Sequence, residues 1–258
     1  QNYLVRAGVL AAADVPSYDA KVQQRLKESL DEVRATEPPP VVLPVAEEDV
    51  AWTPNVPAVP LADLQAWNAR LLDWPADFTP HPKVKGVLQR RAEMLAGQQP
   101  VDFATAETLA FASLVASGIG VRLAGQDSGR GTFSQRHAAL YDAENGRRFV
   151  ALNRLVEGQA PFVVVDSLLS EEAALGFEYG YSVERKRHLV LWEAQFGDFC
   201  NGAQIQIDQF LAAGEAKWAQ ASGLVLLLPH GYDGQGPEHS SARLERFLQL
   251  CAENNLRV

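Results

Sequence analysis

From Asp102 onward, short apolar runs alternate with segments of helical period, and this alternation constrains the fold more than any other feature of the chain. Phe162 to Val165 and Leu224 to Leu228 are unbroken apolar runs of strand length, whereas Ala173, Ala174, Phe177 and Tyr181 recur at helical spacing. The pattern predicts strands over 121–123, 162–166, 189–192 and 223–228, and helices over 102–117, 171–181, 202–219 and 239–254. Strands separated by helices must be joined by crossovers, which implies an α/β fold: a mainly parallel sheet with helices on both faces. Leu224 to Leu228 fits a central strand buried on both sides. Residues 255–258 read as the opening of one more strand, so the sheet is expected to be truncated on its C-terminal side.

The first hundred residues have a different texture. Asp14, Pro16 and Ser17 mark a helix start, and Val22, Leu26, Leu30 and Val33 follow at spacings of three or four. Residues 36–60 carry seven prolines, which cannot donate to a regular hydrogen-bond ladder, so an extended connector is expected. Helices are predicted over 61–72 and 84–96, the first stopped by Trp74-Pro75 and the second closed by Gly97. His81, between two prolines, reads as structural. The expected division is therefore 1–100, a helical and proline-rich connector, and 101–258, an α/β domain.

Net charge is −9 and no basic stripe is present, which argues against a nucleic-acid surface. No apolar run approaches the ~20 residues of a membrane span. The opening QNYLVRAGVL lacks a signal-peptide pattern and a leading Met, and reads as cut from something longer. Cys200 and Cys251 form no CxxC pair, so two free thiols in a reducing compartment are expected.

The common signatures of nucleotide, hydrolase and zinc-protease sites (GxxxxGK[ST], GxGxxG, GxSxG, HExxH) do not occur. Four polar segments remain, each following a predicted strand, where open sheets place ligands. Gly125 to His137 (GQDSGRGTFSQRH) is glycine-rich with two arginines. Ser170-Glu171-Glu172 sits at a helix start, Ser170 as the cap. Its two carboxylates either serve chemistry or only complement the helix dipole. Trp192 to Phe199 (WEAQFGDF) packs aromatics with polar groups, as a site or as core. Pro229 to Arg243 (PHGYDGQGPEHSSAR) carries two histidines and two serines into a helix start, an anion-friendly arrangement.

All four segments resemble the E1 family of 2-oxoglutarate dehydrogenases, thiamine diphosphate enzymes. The resemblance runs through GQDSGRGTFSQRHA, LLSEEAALGFEYGYS, LWEAQFGDFCNGAQIQIDQF and LLPHGYDGQGPEHSSARLERFLQLCAE, from about residue 100 to the end. HPKVKGVLQRRAEMLAG is also similar to the family, and the first ~60 residues match only loosely. Cys200 stands where the family usually has a small residue, and Glu184 to Arg187 is an unusually charged turn. The family's Gly-Asp-Gly…Asn motif, which holds the cofactor diphosphate and Mg²⁺, is absent here: Gly197-Asp198 is followed by Phe199.

The resemblance thus implies a thiamine diphosphate pyrimidine-binding domain, supplying the aminopyrimidine half of a site whose Mg²⁺ lies on a domain outside this chain. It implies Glu171 as the carboxyl that meets the pyrimidine N1′, Phe199 packed on the ring face, and Leu169 and Gln195 as neighbouring ring contacts. His239 corresponds to a catalytic histidine near the substrate. The complete enzyme would decarboxylate 2-oxoglutarate and pass the succinyl group to a lipoyl-bearing E2 component, as a homodimer, in the cytoplasm or, in a eukaryote, the mitochondrial matrix. This stretch alone would be inactive. Two other readings stay open: an E1-like enzyme acting on 2-oxoadipate, and a non-catalytic interaction fragment of the same fold.

Overall fold

The computed structural model describes residues 2–36, 58–231, 235–252 and 255–258. Two compact units divide at Val56 and Pro57. In the first, α1 (Asn2–Arg6) precedes α2 (Val15–Ala35), which starts where Asp14, Pro16 and Ser17 predict. Ser17 Oγ donates to the Asp14 carbonyl at 2.8 Å, closing the first turn. The apolar stripe of α2, Val22, Leu26, Leu30 and Val33, is exposed. Most of the proline-rich connector expected over 36–60 lies outside the described residues.

The second unit holds α3 (Leu61–Leu71), α4 (Pro82–Leu95), α5 (Phe103–Ala116) and β1 (Gly120–Gly125). After them come the two-residue strands β2 (Leu140–Tyr141) and β3 (Arg148–Phe149), then β4 (Phe162–Asp166), α6 (Glu171–Glu184) and β5 (His188–Glu193). The expected boundary at residue 100 groups α3 and α4 with the connector, whereas in the structure they share the compact unit of the sheet. Leu71 and Leu88, from these helices, lie in one core cluster with Phe111 of α5 and Leu123 of β1.

Four strands form the main sheet in the order β4–β1–β5–β6, every pairing parallel, with β6 spanning Val225–Leu227. This is the α/β architecture that the alternation predicts. Leu191 and Trp192, successive on β5, fall into different core clusters, as period-2 alternation requires when both faces are covered. Phe111, Ala112 and Val115 of α5 pack with Val121 and Phe162 on one face. Leu175 of α6 packs with Trp192, Cys200 and Ile207 on the other. Leu175 is fully buried, and its burial is worth about 1.5–3 kcal/mol.

Four expectations are corrected. The helix expected over 202–219 is broken into a 3₁₀ stretch (Gly197–Ala203), α7 (Gln204–Gln206), a π-helical turn (Ile207–Leu211) and α8 (Gly214–Trp218). The strand expected over 223–228 shrinks to β6, which is half-exposed because among the described residues it pairs only with β5. The helix expected over 239–254 becomes a 3₁₀ turn (Pro237–His239) and α9 (Leu244–Leu250), separated by Arg243 in the left-handed region at φ 53°. Residues 255–258 form no strand.

Candidate functional site

The polar segments converge on the C-terminal edge of the sheet. Gly125, the last residue of β1, is in register with Asp166 on β4 and with Glu193 on β5. Its φ is +154°, and a Cβ there would strike the Glu193 carbonyl and lie 2.7 Å from Ser128 Oγ, so only glycine lets the chain turn between two paired neighbours. The connection from β1 leads to one neighbour and that from β4 crosses to the other, the topological switch at which open α/β sheets form ligand crevices.

Glu171 opens α6. Ser170 caps the helix, its Oγ accepting from the Ala173 N–H at 3.3 Å. Glu171 is half-buried, whereas Glu172 is exposed. Glu171 Oε1 accepts from Gln126 Nε2 at 2.9 Å, and Oε2 faces Gly202, 3.2 Å from where a side chain would begin. The carboxyl is thus hydrogen-bonded at Oε1 and packed against Gly202 at Oε2.

Gln195, just beyond β5, donates from Nε2 to Asp127 Oδ2 at 2.9 Å. That bond fixes the amide orientation and leaves Gln195 Oε1 a buried acceptor without a partner. Asp127 is held in turn by Arg130 at 3.0 Å. An unpartnered buried acceptor is costly in isolation and suits a donor supplied from outside the chain.

Phe199 and His239 meet directly, rings edge-on with centroids 5.3 Å apart, and Phe196 touches both. Phe133, from the glycine-rich loop, completes the group against Phe196 at 5.9 Å. The backbone behind them is tightly seated: Gly197 N–H donates to the Pro229 carbonyl at 2.9 Å, and a Cβ on Gly197 would collide with Ala242. Asp198, buried, pairs with Arg243. His239 Nδ1 lies 3.3 Å from Glu238 Oε1 but off the hydrogen-bonding direction, and it has no partner. The sequence places His239 at the start of a long helix. In the structure it ends a three-residue 3₁₀ turn whose following N–H groups, Ser240 and Ser241, bond back to Pro237. No helix N-terminus points an anion site at it; what it offers is an imidazole against aromatic rings. His230 instead accepts from the Ala242 N–H at 3.0 Å and ties the loop together.

A cleft of about 450 Å³ opens beside this group, lined by Phe133, Phe196, Leu227, His230 and His239. Its floor is a buried ion triad. Arg136 is bidentate to Glu193 (both contacts 2.6 Å) and to Glu107 (2.8 and 2.9 Å). Burial works against the Arg136 charge, but the hydrogen bonds it donates to the two glutamates outweigh it and raise the guanidinium above its usual range.

The structure therefore brings Phe199 and His239 together, sets Glu171 against Gln126 and Gly202, and sets Gln195 against Asp127. Leu169 stands apart: it is 87% exposed in the turn between β4 and α6. Burial pushes the Cys200 thiol up to about 11, so it acts as an inert core residue packed with Leu175 and Trp192. Gln126, Asp127 and Phe133 all lie in the loop that the sequence singles out, but their roles are pairings across strands that no local spacing encodes.

A carboxyl with one hydrogen-bonded oxygen, a buried amide acceptor without a partner and aromatic rings are groups that suit a flat heterocycle bearing ring nitrogens and an amino group, such as the pyrimidine of thiamine diphosphate.

Comparison with known proteins accords with this geometry. The family described as "Transketolase, pyrimidine binding domain" matches residues 99–258. The chain is 57% identical over 201 residues to the 2-oxoglutarate dehydrogenase E1 component of Brucella anthropi, covering 78% of this chain and 20% of that protein. It is 58% identical over 205 residues to the same component of Cupriavidus necator, covering 78% and 22%. The chain thus spans about a fifth of the length of the curated relatives it matches. With residues 99–258, most of its length, matched, this chain belongs to the transketolase pyrimidine-binding domain family.

Proposed function

We propose that this chain is the pyrimidine-binding part of a 2-oxoglutarate dehydrogenase E1 component, which decarboxylates 2-oxoglutarate and passes the succinyl group to a lipoyl-bearing E2. The observation that carries the reading is the Glu171 carboxyl at the mouth of α6, tethered at Oε1 by Gln126, in a chain 57% identical to E1 components. When bound, thiamine diphosphate supplies a nucleophilic carbon for attack on a 2-oxo acid. Glu171 Oε2 would hold the proton shared with the pyrimidine. Gln195 Oε1 would accept from the ring's amino group, and Phe199 would pack on its face. The exposed Leu169 is available to a ring or to a second protein surface, and its role as a ring contact rests on family resemblance alone. His239, which lines the cleft, meets the substrate.

The diphosphate and its Mg²⁺ are read as held by a domain outside this chain, because the Gly-Asp-Gly…Asn motif does not occur in it. That domain would come from the second subunit of a homodimer. The cytoplasm, or the mitochondrial matrix in a eukaryote, is the compartment this role implies. Among the described residues, no helix is long and apolar enough to cross a membrane.

The test is turnover by the full-length protein with thiamine diphosphate and Mg²⁺, comparing 2-oxoglutarate with 2-oxoadipate. Expected is a higher kcat/KM for 2-oxoglutarate. Preference for 2-oxoadipate would reassign the substrate, and no cofactor-dependent turnover of either acid would overturn the catalytic reading.

A further inference from the structure

We infer that Gln126 is a positioning residue for Glu171: it holds one carboxyl oxygen so that the other can carry the working proton. The inference rests on the proposed role of Glu171. Gln126 is the first residue beyond β1, the strand that lies between β4, which leads to Glu171, and β5, which leads to Gln195. The turn forced by Gly125 lifts its side chain toward α6, where Nε2 donates to Glu171 Oε1 at 2.9 Å. Among the described residues, no ion pair involves Glu171.

The chemistry of the donor matters. A carboxyl oxygen accepts from an amide N–H whether the group is ionised or carries its proton on the other oxygen. A neutral amide therefore keeps Oε1 in place through a full cycle of proton release and uptake at Oε2. A lysine or arginine at the same point would favour the ionised state alone. Gly202 complements the tether by letting Oε2 approach its backbone, since a Cβ there would lie 3.2 Å from that oxygen. Without the amide, the carboxyl could swing about its terminal torsion, and small losses of alignment are expensive in catalysis.

The experiment compares Gln126→Met, Glu171→Ala and the double variant in the full-length protein. Methionine keeps the length of glutamine and removes the donor. Expected for Gln126→Met is a kcat lower by ~10-fold, the scale of one hydrogen bond to a charged group. KM for 2-oxoglutarate stays within about 2-fold, as befits loss of an interaction needed in the transition state rather than in substrate binding. Titration of tryptophan fluorescence with thiamine diphosphate and Mg²⁺ is expected to show weaker cofactor binding for Gln126→Met. In the Glu171→Ala background, adding Gln126→Met lowers neither kcat nor cofactor affinity further, because Gln126 acts only through Glu171.

Wild-type kcat and cofactor affinity in Gln126→Met would overturn the inference, and so would an equal loss in both backgrounds. Should Gln126→Met fail to fold, Gln126→Glu is judged on the same cycle: two facing carboxylates lower kcat when Glu171 is present and not when it is alanine. If Glu171→Ala alone kept wild-type turnover, the assigned role of Glu171 would fall first. A dead Glu171→Ala with an unaffected Gln126→Met overturns only the part given to Gln126.

Discussion

The His239 imidazole stands edge-on to the Phe196 ring, centroids 4.7 Å apart at 84°, and lines the same cleft. The imidazole packs against both Phe196 and Phe199, and its Nδ1 lies 3.3 Å from Glu238 Oε1 without a hydrogen bond. In the full-length enzyme, His239→Ala is expected to lower kcat/KM for 2-oxoglutarate by ~10-fold or more, with cofactor affinity nearly unchanged. His230→Ala is expected to lower thermal stability instead, since His230 anchors the loop to Ala242. Steady-state kinetics with cofactor titration on both variants checks this. Wild-type kcat/KM in His239→Ala would remove its substrate role.

Arg136, itself buried, is shared between the buried Glu193 and the half-buried Glu107. Truncating it leaves the buried Glu193 carboxylate without its ion-pair partner, so Arg136→Ala is expected to cost about 3–5 kcal/mol or to prevent folding. Glu107→Gln, which keeps Glu193 as a full partner, is expected to cost less. Denaturant melts of both variants give the ranking; a smaller loss for Arg136→Ala would contradict it.

His137 sits in the same loop at φ 50°, and burial, followed by the charge of Arg91, pushes its pKa below the usual 6.5. The unfolded chain therefore binds a proton at a higher pH than the folded one. Stability from the neutral imidazole is present above about 6.5 and is lost as the pH falls from there through the lower folded value. Thermal melts across pH 5–8 are expected to show a falling Tm on the acid side that His137→Gln makes shallower. An unchanged acid slope would show that the imidazole does not contribute.

Some of this was legible in the sequence, and the reasons differ from residue to residue. Ser170 as a cap and Glu171 in the first turn of a helix are local features, and the structure has them as read. The parallel sheet follows from the alternation of apolar runs with helical period, which is also local. β2 and β3 escaped notice because two-residue strands carry no periodicity. Leu224 to Leu228 suggests a central strand by its apolar run, yet β6 has one described partner, and pairing is not written in a run of leucines. The break at Arg243 is likewise a backbone event that composition does not announce. At the site, the residue types could be listed, but Gln126 on Glu171 joins positions 45 apart and Gln195 on Asp127 positions 68 apart. Such pairings arise only when neighbouring strands set their loops side by side.

Glu171 and Glu172 are adjacent and identical in chemistry, and they differ only in placement. Glu171 is half-buried against Gln126 and Gly202, and Glu172 is exposed. Steady-state kcat of Glu171→Gln and Glu172→Gln in the full-length enzyme isolates that difference. A drop on the order of 10²-fold or more is expected for Glu171→Gln, the range of a positioned proton-transfer partner, with little change for Glu172→Gln. A greater loss in Glu172→Gln, or wild-type turnover in Glu171→Gln, would contradict the assignment.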